Sequence, residues 1–405
     1  MKFIPRRCYA FYSGELAELA RANHWIRARA DETIDPVTRF GSALAAYHCI
    51  PFVRVTHSGR TALIALLKAA GLAPGDEIIV PAYTFRALIE LIAASGYVPV
   101  PADINRRDLN LSPDDVARHI GPRTRAILAT HLFGRPCALT DLKTLATRHG
   151  LLLIEDCAQA MGSEWQGQKV GSIGDAAILS FDLLKPINSI GGGAILTRHP
   201  GIAERLPLFL PTAPPSHFAL AKRIGLALLE HAILRSPLAR IVAHALAHPA
   251  TQAHVARSYR RMQTGSRPAV AAYTPLQARI ALHLLATLDG RTAQRRALLR
   301  RLSQLLDEIP AASIHPGENG YFFVRLVNDK ISAAQLRQRL LQSGIDAGIG
   351  AEVADYCGDI GRATDCPVAR DVAARAIQLP LYEGLDEGDL QRIASVCKGY
   401  LARRI

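Results

Sequence analysis

Leu153-Ile154-Glu155-Asp156-Cys157-Ala158-Gln159-Ala160 is an apolar run that stops at two carboxylates and continues in small residues. A buried parallel strand has this form: helices cover both of its faces, and its carboxyl end opens on the crevice where open α/β sheets bind ligands. Asp156 then stands where a bound ring could meet it. A carboxylate in that place can keep a pyridine nitrogen protonated, which makes the ring a sink for electrons. Capping of the following helix is the ordinary structural role for the same residue.

On either side of this run, short apolar runs alternate with helical patterns from about residue 50 to 200. Glu77 to Val80, Val98 to Val100, Ala126 to Thr130, Leu151 to Ile154 and Ala177 to Phe181 read as strands. Thr61 to Ala70, Phe85 to Ser95 and Thr140 to His149 read as helices, the last with Thr140 as N-cap and Asp141 in its first turn. The alternation predicts an α/β fold around a mainly parallel sheet.

Beyond residue 200 the text changes. Pro207, Pro211, Pro214 and Pro215 precede an apolar and basic run from Phe218 to Ala247. Leu220, Ile224 and Leu228 recur there at helical spacing, with Lys222 and Arg223 on another side, which predicts an amphipathic helix broken near Pro237. Thr274-Pro275 is a cap followed by a first-turn proline, and the apolar pattern after it runs through Leu276, Ile280, Leu284 and Leu288. Tyr321 to Val327 as strand, Ala333 to Ser343 as helix and Glu387 to Ala402 as helix describe a smaller α+β unit. The expected division is residues 1–200 for an N-terminal segment and large domain, 201–265 for a helical insertion, and 266–405 for a long connecting helix and small C-terminal domain.

Two more segments bear on chemistry. Ser58-Gly59-Arg60-Thr61 opens a helix with small residues, exposing backbone N–H groups and the positive end of the helix dipole to a phosphate. An ordinary capped helix has the same signature. Ser180-Phe181-Asp182-Leu183-Leu184-Lys185, followed by the turn signal Gly191-Gly192-Gly193, places a lysine just past a buried strand among apolar residues. Imine chemistry needs an amine that loses its proton readily, and apolar surroundings favour that, although most lysines are solvated surface charges.

The 405 residues are 49% hydrophobic and 20% charged, which excludes a disordered or collagen-like chain. The net charge of +13 suits anionic partners. The densest basic cluster, Arg291, Arg295, Arg296, Arg300 and Arg301, is spaced like a solvated helix face, and no aromatic residues interleave with it as a nucleic-acid platform requires. Seven scattered cysteines without a CxxC pair, no readable signal peptide and no apolar run long enough to span a bilayer point to a reducing, cytoplasmic setting.

The order and wording of several segments resemble the DegT/DnrJ/EryC1/StrS family of pyridoxal 5′-phosphate (PLP) dependent sugar aminotransferases. The matching text is Gly75 to Phe85, Asn110-Leu111-Ser112-Pro113, Pro122 to Ile127, His131-Leu132-Phe133-Gly134, Glu155 to Ala160, Val170 to Ala177 and Leu379-Pro380-Leu381-Tyr382. It covers about residues 40 to 200 well and 270 to 400 loosely. The resemblance implies the aspartate-aminotransferase-like PLP fold, fold type I, with a seven-stranded type of sheet. It implies that Lys185 holds PLP as a Schiff base and moves the proton. Asp156 would pair with the pyridinium nitrogen, Gln159 would meet the ring oxygen and Phe85 would stack on the ring. The phosphate would rest on the Gly59 and Arg60 amides and the Ser180 hydroxyl. L-glutamate as amino donor, a nucleotide-linked keto-sugar as acceptor and a homodimer complete the expectation, with no metal and no nucleic acid.

The chain departs from the family's usual text on the substrate side. Gly191 replaces an acidic residue, Asp182 an aromatic or histidine, and Arg60 a threonine. Pro268 to Tyr273 replaces a loop bearing Asn and Arg, and Gly348-Ile349-Gly350-Ala351 replaces a His-rich segment. A same-fold enzyme on a non-sugar keto substrate, a dehydratase, or a non-catalytic PLP-binding regulator are the alternatives. Retention of Lys185 speaks against a dehydratase of the type that carries histidine there. The basic, apolar stretch 216–248 raises one further expectation, peripheral contact with an anionic membrane surface.

Overall fold

The computed structural model describes residues 2–6, 34–211, 216–248, 251, 272–306, 314–327, 332–347 and 353–401. Helix α1 (Pro36–His48) is capped by Asp35, with proline in its first turn. Then come β1 (Phe52–Thr56), α2 (Gly59–Ala69), β2 (Glu77–Pro81), the short β3 (Tyr83–Thr84), α3 (Arg86–Ala94), β4 (Val98–Ala102), α4 (Pro113–His119), β5 (Thr124–Thr130), α5 (Leu139–His149) and β6 (Leu152–Asp156). A small hairpin of β7 (Glu164–Trp165) and β8 (Gln168–Lys169) leads to β9 (Ala176–Ser180) and β10 (Gly193–Thr197).

Seven of these strands form one sheet in the order β1-β10-β9-β6-β5-β2-β4. The run β9-β6-β5-β2-β4 is parallel, and only β10 opposes its neighbours. Period-two alternation drives this layering: Ile79, Ile127 and Leu153 enter one core with Phe40 of α1 and Leu142 of α5, while Ile78, Leu128 and Ile154 enter the other with Leu66 of α2 and Ile89 of α3. The mainly parallel seven-stranded sheet is as the sequence predicts.

After α6 (Pro200–Arg205) the chain forms α7 (His217–Arg235) and α8 (Leu238–Leu246), separated at Ser236-Pro237 as expected. The expected inner face of α7 is only partly right. Leu220 and Ala227 are buried, but Leu228 points outward, because the helix touches the body along a narrower line than its apolar stripe. Helix α9 (Pro275–Ala286) starts with a complete capping box between Thr274 and Gln277. Thr287 ends it, so Leu288 begins α10 (Leu288–Leu306) instead of continuing α9. Thr140 does not cap α5, which starts at Leu139; its hydroxyl instead accepts the Trp165 indole N–H at 3.0 Å.

The C-terminal elements are β11 (Phe323–Leu326), α11 (Ala333–Gln342), β12 (Asp355–Tyr356), α12 (Pro367–Arg375), β13 (Ala376–Leu379) and α13 (Glu387–Leu401). β11 pairs with β13 over a separate core that takes Leu302 of α10, Leu340 of α11 and Ile393 of α13. β12 pairs with β3 and so fastens this region to the main sheet. The arginine cluster on α10 is not a solvated face. Arg295 is fully buried, giving hydrogen bonds to the Asn319 carbonyl (2.9 Å) and the Thr292 hydroxyl (3.0 Å) and an ion pair to Glu383 (2.7 Å); only Arg300 and Arg301 of the five are exposed. At 100° per residue, position 295 falls on the same side as buried Leu299 and Leu302.

Candidate active site

The sheet register assembles the site. Thr56, Gly193 and Ser180 stand side by side at one edge of β1, β10 and β9, and Thr130, Asp156 and Ile178 line up across β5, β6 and β9. All but Gly193, which begins the reversed strand, lie toward the carboxyl ends of parallel strands, where ligands of open α/β sheets are bound.

At one end of this edge lies the first turn of α2. Ser58 caps it, its hydroxyl accepting the Thr61 N–H at 3.1 Å. Gly59 faces Ser180 so closely that a Cβ added to it would lie 3.1 Å from the Ser180 Cβ and 3.2 Å from the Leu179 carbonyl oxygen. Three of the expected residues, Gly59, Arg60 and Ser180, are thereby gathered around a helix N-terminus. Helix dipole and hydroxyl together make this a cradle for an anion.

Asp156 is buried at the end of β6. It accepts the Ala158 N–H at 3.0 Å, with the Thr130 hydroxyl at 3.5 Å. Burial pushes its carboxyl above the ordinary value, and the Ala158 N–H and the nearby Lys185 ammonium oppose that without cancelling it. A cationic ring nitrogen would supply what this carboxylate lacks. The preceding residue behaves oppositely. Glu155 accepts the N–H groups of Gly171 (2.7 Å), Ile173 (2.8 Å) and Gly174 (2.6 Å) and pairs with His131 Nε2 at 3.0 Å. His131 Nδ1 accepts the Cys137 N–H at 3.0 Å, so the ring proton lies on Nε2, toward Glu155. The ligand atoms of His131, Glu155 and Cys157 come within 4.8 Å of one another, yet the hydrogen-bonding capacity of His131 and Glu155 is already spent inside the protein, as befits a structural pin.

Lys185 is half-buried in the loop between β9 and β10, its N–H donating to the Asp182 carbonyl at 2.9 Å. Its Nζ lies 6.0 Å from the centre of the Tyr321 ring, and the Tyr321 hydroxyl donates to the Leu184 carbonyl at 2.8 Å. The loop closes through Ile190, Gly191 and Gly192, all at positive φ. A side chain at Gly192 would strike the Tyr273 ring, whose hydroxyl bonds Ser189 at 2.5 Å. Gln159 is buried, its Oε1 accepting the Phe133 N–H at 2.8 Å, which leaves its Nε2 to donate elsewhere. Phe85 is the N-cap of α3 just beyond β3, and it is half-buried.

The sequence profile of the DegT/DnrJ/EryC1/StrS aminotransferase family matches residues 15–215 and 252–398. The chain belongs to this family. It is 37% identical over 209 residues, 50% of the chain and 49% of the relative, to the L-glutamine:2-deoxy-scyllo-inosose aminotransferase of Streptomyces kanamyceticus. It is 35% identical over 181 residues, 45% of the chain and 48% of the relative, to the GDP-perosamine synthase of Vibrio cholerae. These matches span about half the length of the curated relatives. The structure of DesV from S. venezuelae, solved in complex with a ketimine intermediate, superposes with a TM-score of 0.74 at 26% identity over 100% of both chains.

Among the departures from the family's usual text, Asp182 pairs with Arg223 of α7 at 2.6 Å, and a Cβ on Gly191 would lie 2.6 Å from the same guanidinium. An acidic side chain at 191 would have to adopt a strained φ of +120° and push the Arg223 guanidinium aside. Pro268 to Ala271 and Gly348 to Ala351 lie outside the described residues. Sequence reasoning missed the His131–Glu155 pin, Tyr321, Tyr273 and Asn319, whose Nδ2 donates to the Gln159 and Met161 carbonyls at 2.9 Å. Tyr321 appeared only as part of a strand, and nothing local in the sequence marks an aromatic 136 residues away as a neighbour of Lys185.

Proposed function

We propose that this chain is a PLP-dependent aminotransferase that moves an amino group from L-glutamate to a keto-sugar, nucleotide-linked, as a homodimer. The observation that carries the reading is the half-buried Lys185 within electrostatic reach of the buried Asp156, at the same sheet edge as the Gly59–Ser180 cradle. In that arrangement Lys185 Nζ would hold the cofactor through its aldehyde carbon, with loss of water, and once released by the substrate amine would take up and return the proton of the substrate carbon. Asp156 would hold the ring nitrogen cationic, and Gln159 Nε2 would donate to the ring oxygen. Phe85 would cover the ring, and the Gly59 and Arg60 amides with the Ser180 hydroxyl would take the phosphate. When bound, the cofactor supplies an electron sink for breaking the bond to hydrogen at the amino-bearing carbon.

The surplus positive charge and the names of the relatives support a sugar acceptor carrying phosphates. The S. kanamyceticus relative, named for glutamine and a cyclitol, favours a second reading in which glutamine donates to a keto-cyclitol. Borohydride reduction followed by peptide mapping should place a cofactor adduct on Lys185; an adduct elsewhere, or none, refutes the assignment. Amino donor alone should then yield one equivalent of its keto acid per subunit, and comparing glutamate with glutamine separates the two readings. A regulatory protein would release none.

A further inference from the structure

Residues 216–251 fall between the two stretches matched by the family profile, and they carry an unusual surface. Of the eleven large apolar side chains exposed among the described residues, seven lie in α7, α8 and their junction. Helix α8 is inverted: Ala239, Ala243 and the C-cap Ala247 are buried, whereas Leu238, Ile241 and Val242 are 54%, 66% and 42% exposed on the other side. On α7, Phe218 (82% exposed) and Leu229 (58% exposed) are eleven residues apart, three turns, and therefore share a face; exposed Lys222 lies on it between them. A helix that buries alanine and presents leucine and isoleucine carries a patch that calls for a cover.

Charge identifies the cover. Between residues 216 and 248 stand Lys222, Arg223, Arg235 and Arg240 against one acidic residue, Glu230, which is half-buried and near Arg6. Two copies brought face to face would bury Lys222 with no exposed carboxylate from this segment to meet it. An anionic bilayer offers both things the surface lacks, an apolar layer for Phe218, Leu229 and Ile241 and phosphates for the exposed Lys222 and Arg235. No helix among the described residues is long and apolar enough to cross a membrane, so the contact is peripheral.

We propose that the exposed sides of α7 and α8 dock on an anionic lipid surface. Because Arg223 of α7 pairs with Asp182, three residues before Lys185, the helix that meets the lipid also braces the cofactor loop. This inference is independent of the acceptor identity proposed above.

The test uses the full-length, cofactor-loaded protein with sedimented vesicles of pure phosphatidylcholine or of phosphatidylcholine mixed with phosphatidylglycerol. The protein should pellet with the mixed vesicles, be released by salt, and stay in solution with the neutral ones. Lys222→Glu should weaken binding by about tenfold, and the pair Leu229→Ser with Ile241→Ser should abolish it, with cofactor absorbance retained. If the paired variant loses its fold, Lys222→Glu on the intact surface decides. Failure of the wild type to pellet with mixed vesicles, or pelleting that Lys222→Glu leaves unchanged, overturns the proposal. So does a mass that falls by half in solution in the paired variant, which would assign the face to a second copy.

Discussion

Glu155 and Asp156 are consecutive and both buried, and their carboxyls are shifted in opposite directions. Burial alone would raise Glu155, but the His131 hydrogen bond and the N–H groups of Gly171 and Gly174 outweigh it and hold the carboxyl below its ordinary value. Asp156 meets fewer donors and stays above its ordinary value. Adjacent strand residues point to opposite faces, so one carboxylate serves the scaffold and the other is left for a ligand.

Asp156→Asn should separate stability from function. The carboxyl's raised pKa means that its ionisation, as pH climbs past the unfolded value of 3.8, weakens the cofactor-free fold. Removing the charge should strengthen that fold by about 1 kcal/mol at neutral pH and lower turnover by about 10²-fold. Thermal melts of cofactor-free protein and steady-state kinetics check the two halves.

Glu155→Gln should lose both stability and its pH dependence. Two donors converge on each carboxylate oxygen, so either orientation of the amide turns its NH₂ toward two of them, at a cost of about 2–4 kcal/mol. The wild type's lowered pKa gives stability that is complete above about 4.5, the unfolded value, and is lost as pH falls through the folded one. Denaturant midpoints from neutral to acid pH should therefore converge for wild type and variant at the acid end.

Gly59→Ala should loosen the phosphate cradle. The added methyl would press on the Ser180 Cβ at 3.1 Å and the Leu179 carbonyl at 3.2 Å, which costs about 1–3 kcal/mol if the helix end must shift. Cofactor affinity, read by absorbance titration, should fall about tenfold or more, while covalent trapping at Lys185 survives.

Arg295→Ala should destabilise the chain by about 3–5 kcal/mol, because Glu383 would keep only the more distant Arg291 guanidinium at 3.9 Å and the Asn319 carbonyl would lose its buried donor. Chemical denaturation reads this loss. Arg300→Ala, on the exposed part of the same helix, should leave the midpoint nearly unchanged.

The sheet and its site edge were legible in local text. Period-two apolar runs, capped helices and the acid-terminated strand are short-range patterns whose physics acts within a few residues, and they identified β6, the α2 cap and the loop of Lys185. The family text added the roles now proposed for Phe85, Gln159 and Ser180.

Local text is therefore enough for the alternating α/β order and for placing the candidate site residues along the chain. Tertiary structure alone decided which of two adjacent carboxylates is spent on the scaffold, that Arg295 is interior, that Tyr321 and Tyr273 hold the lysine loop, and that α8 shows its larger side chains to the outside. Each of these depends on which distant backbone donors, rings and helices come to lie alongside a residue, and separation along the chain carries no record of that proximity.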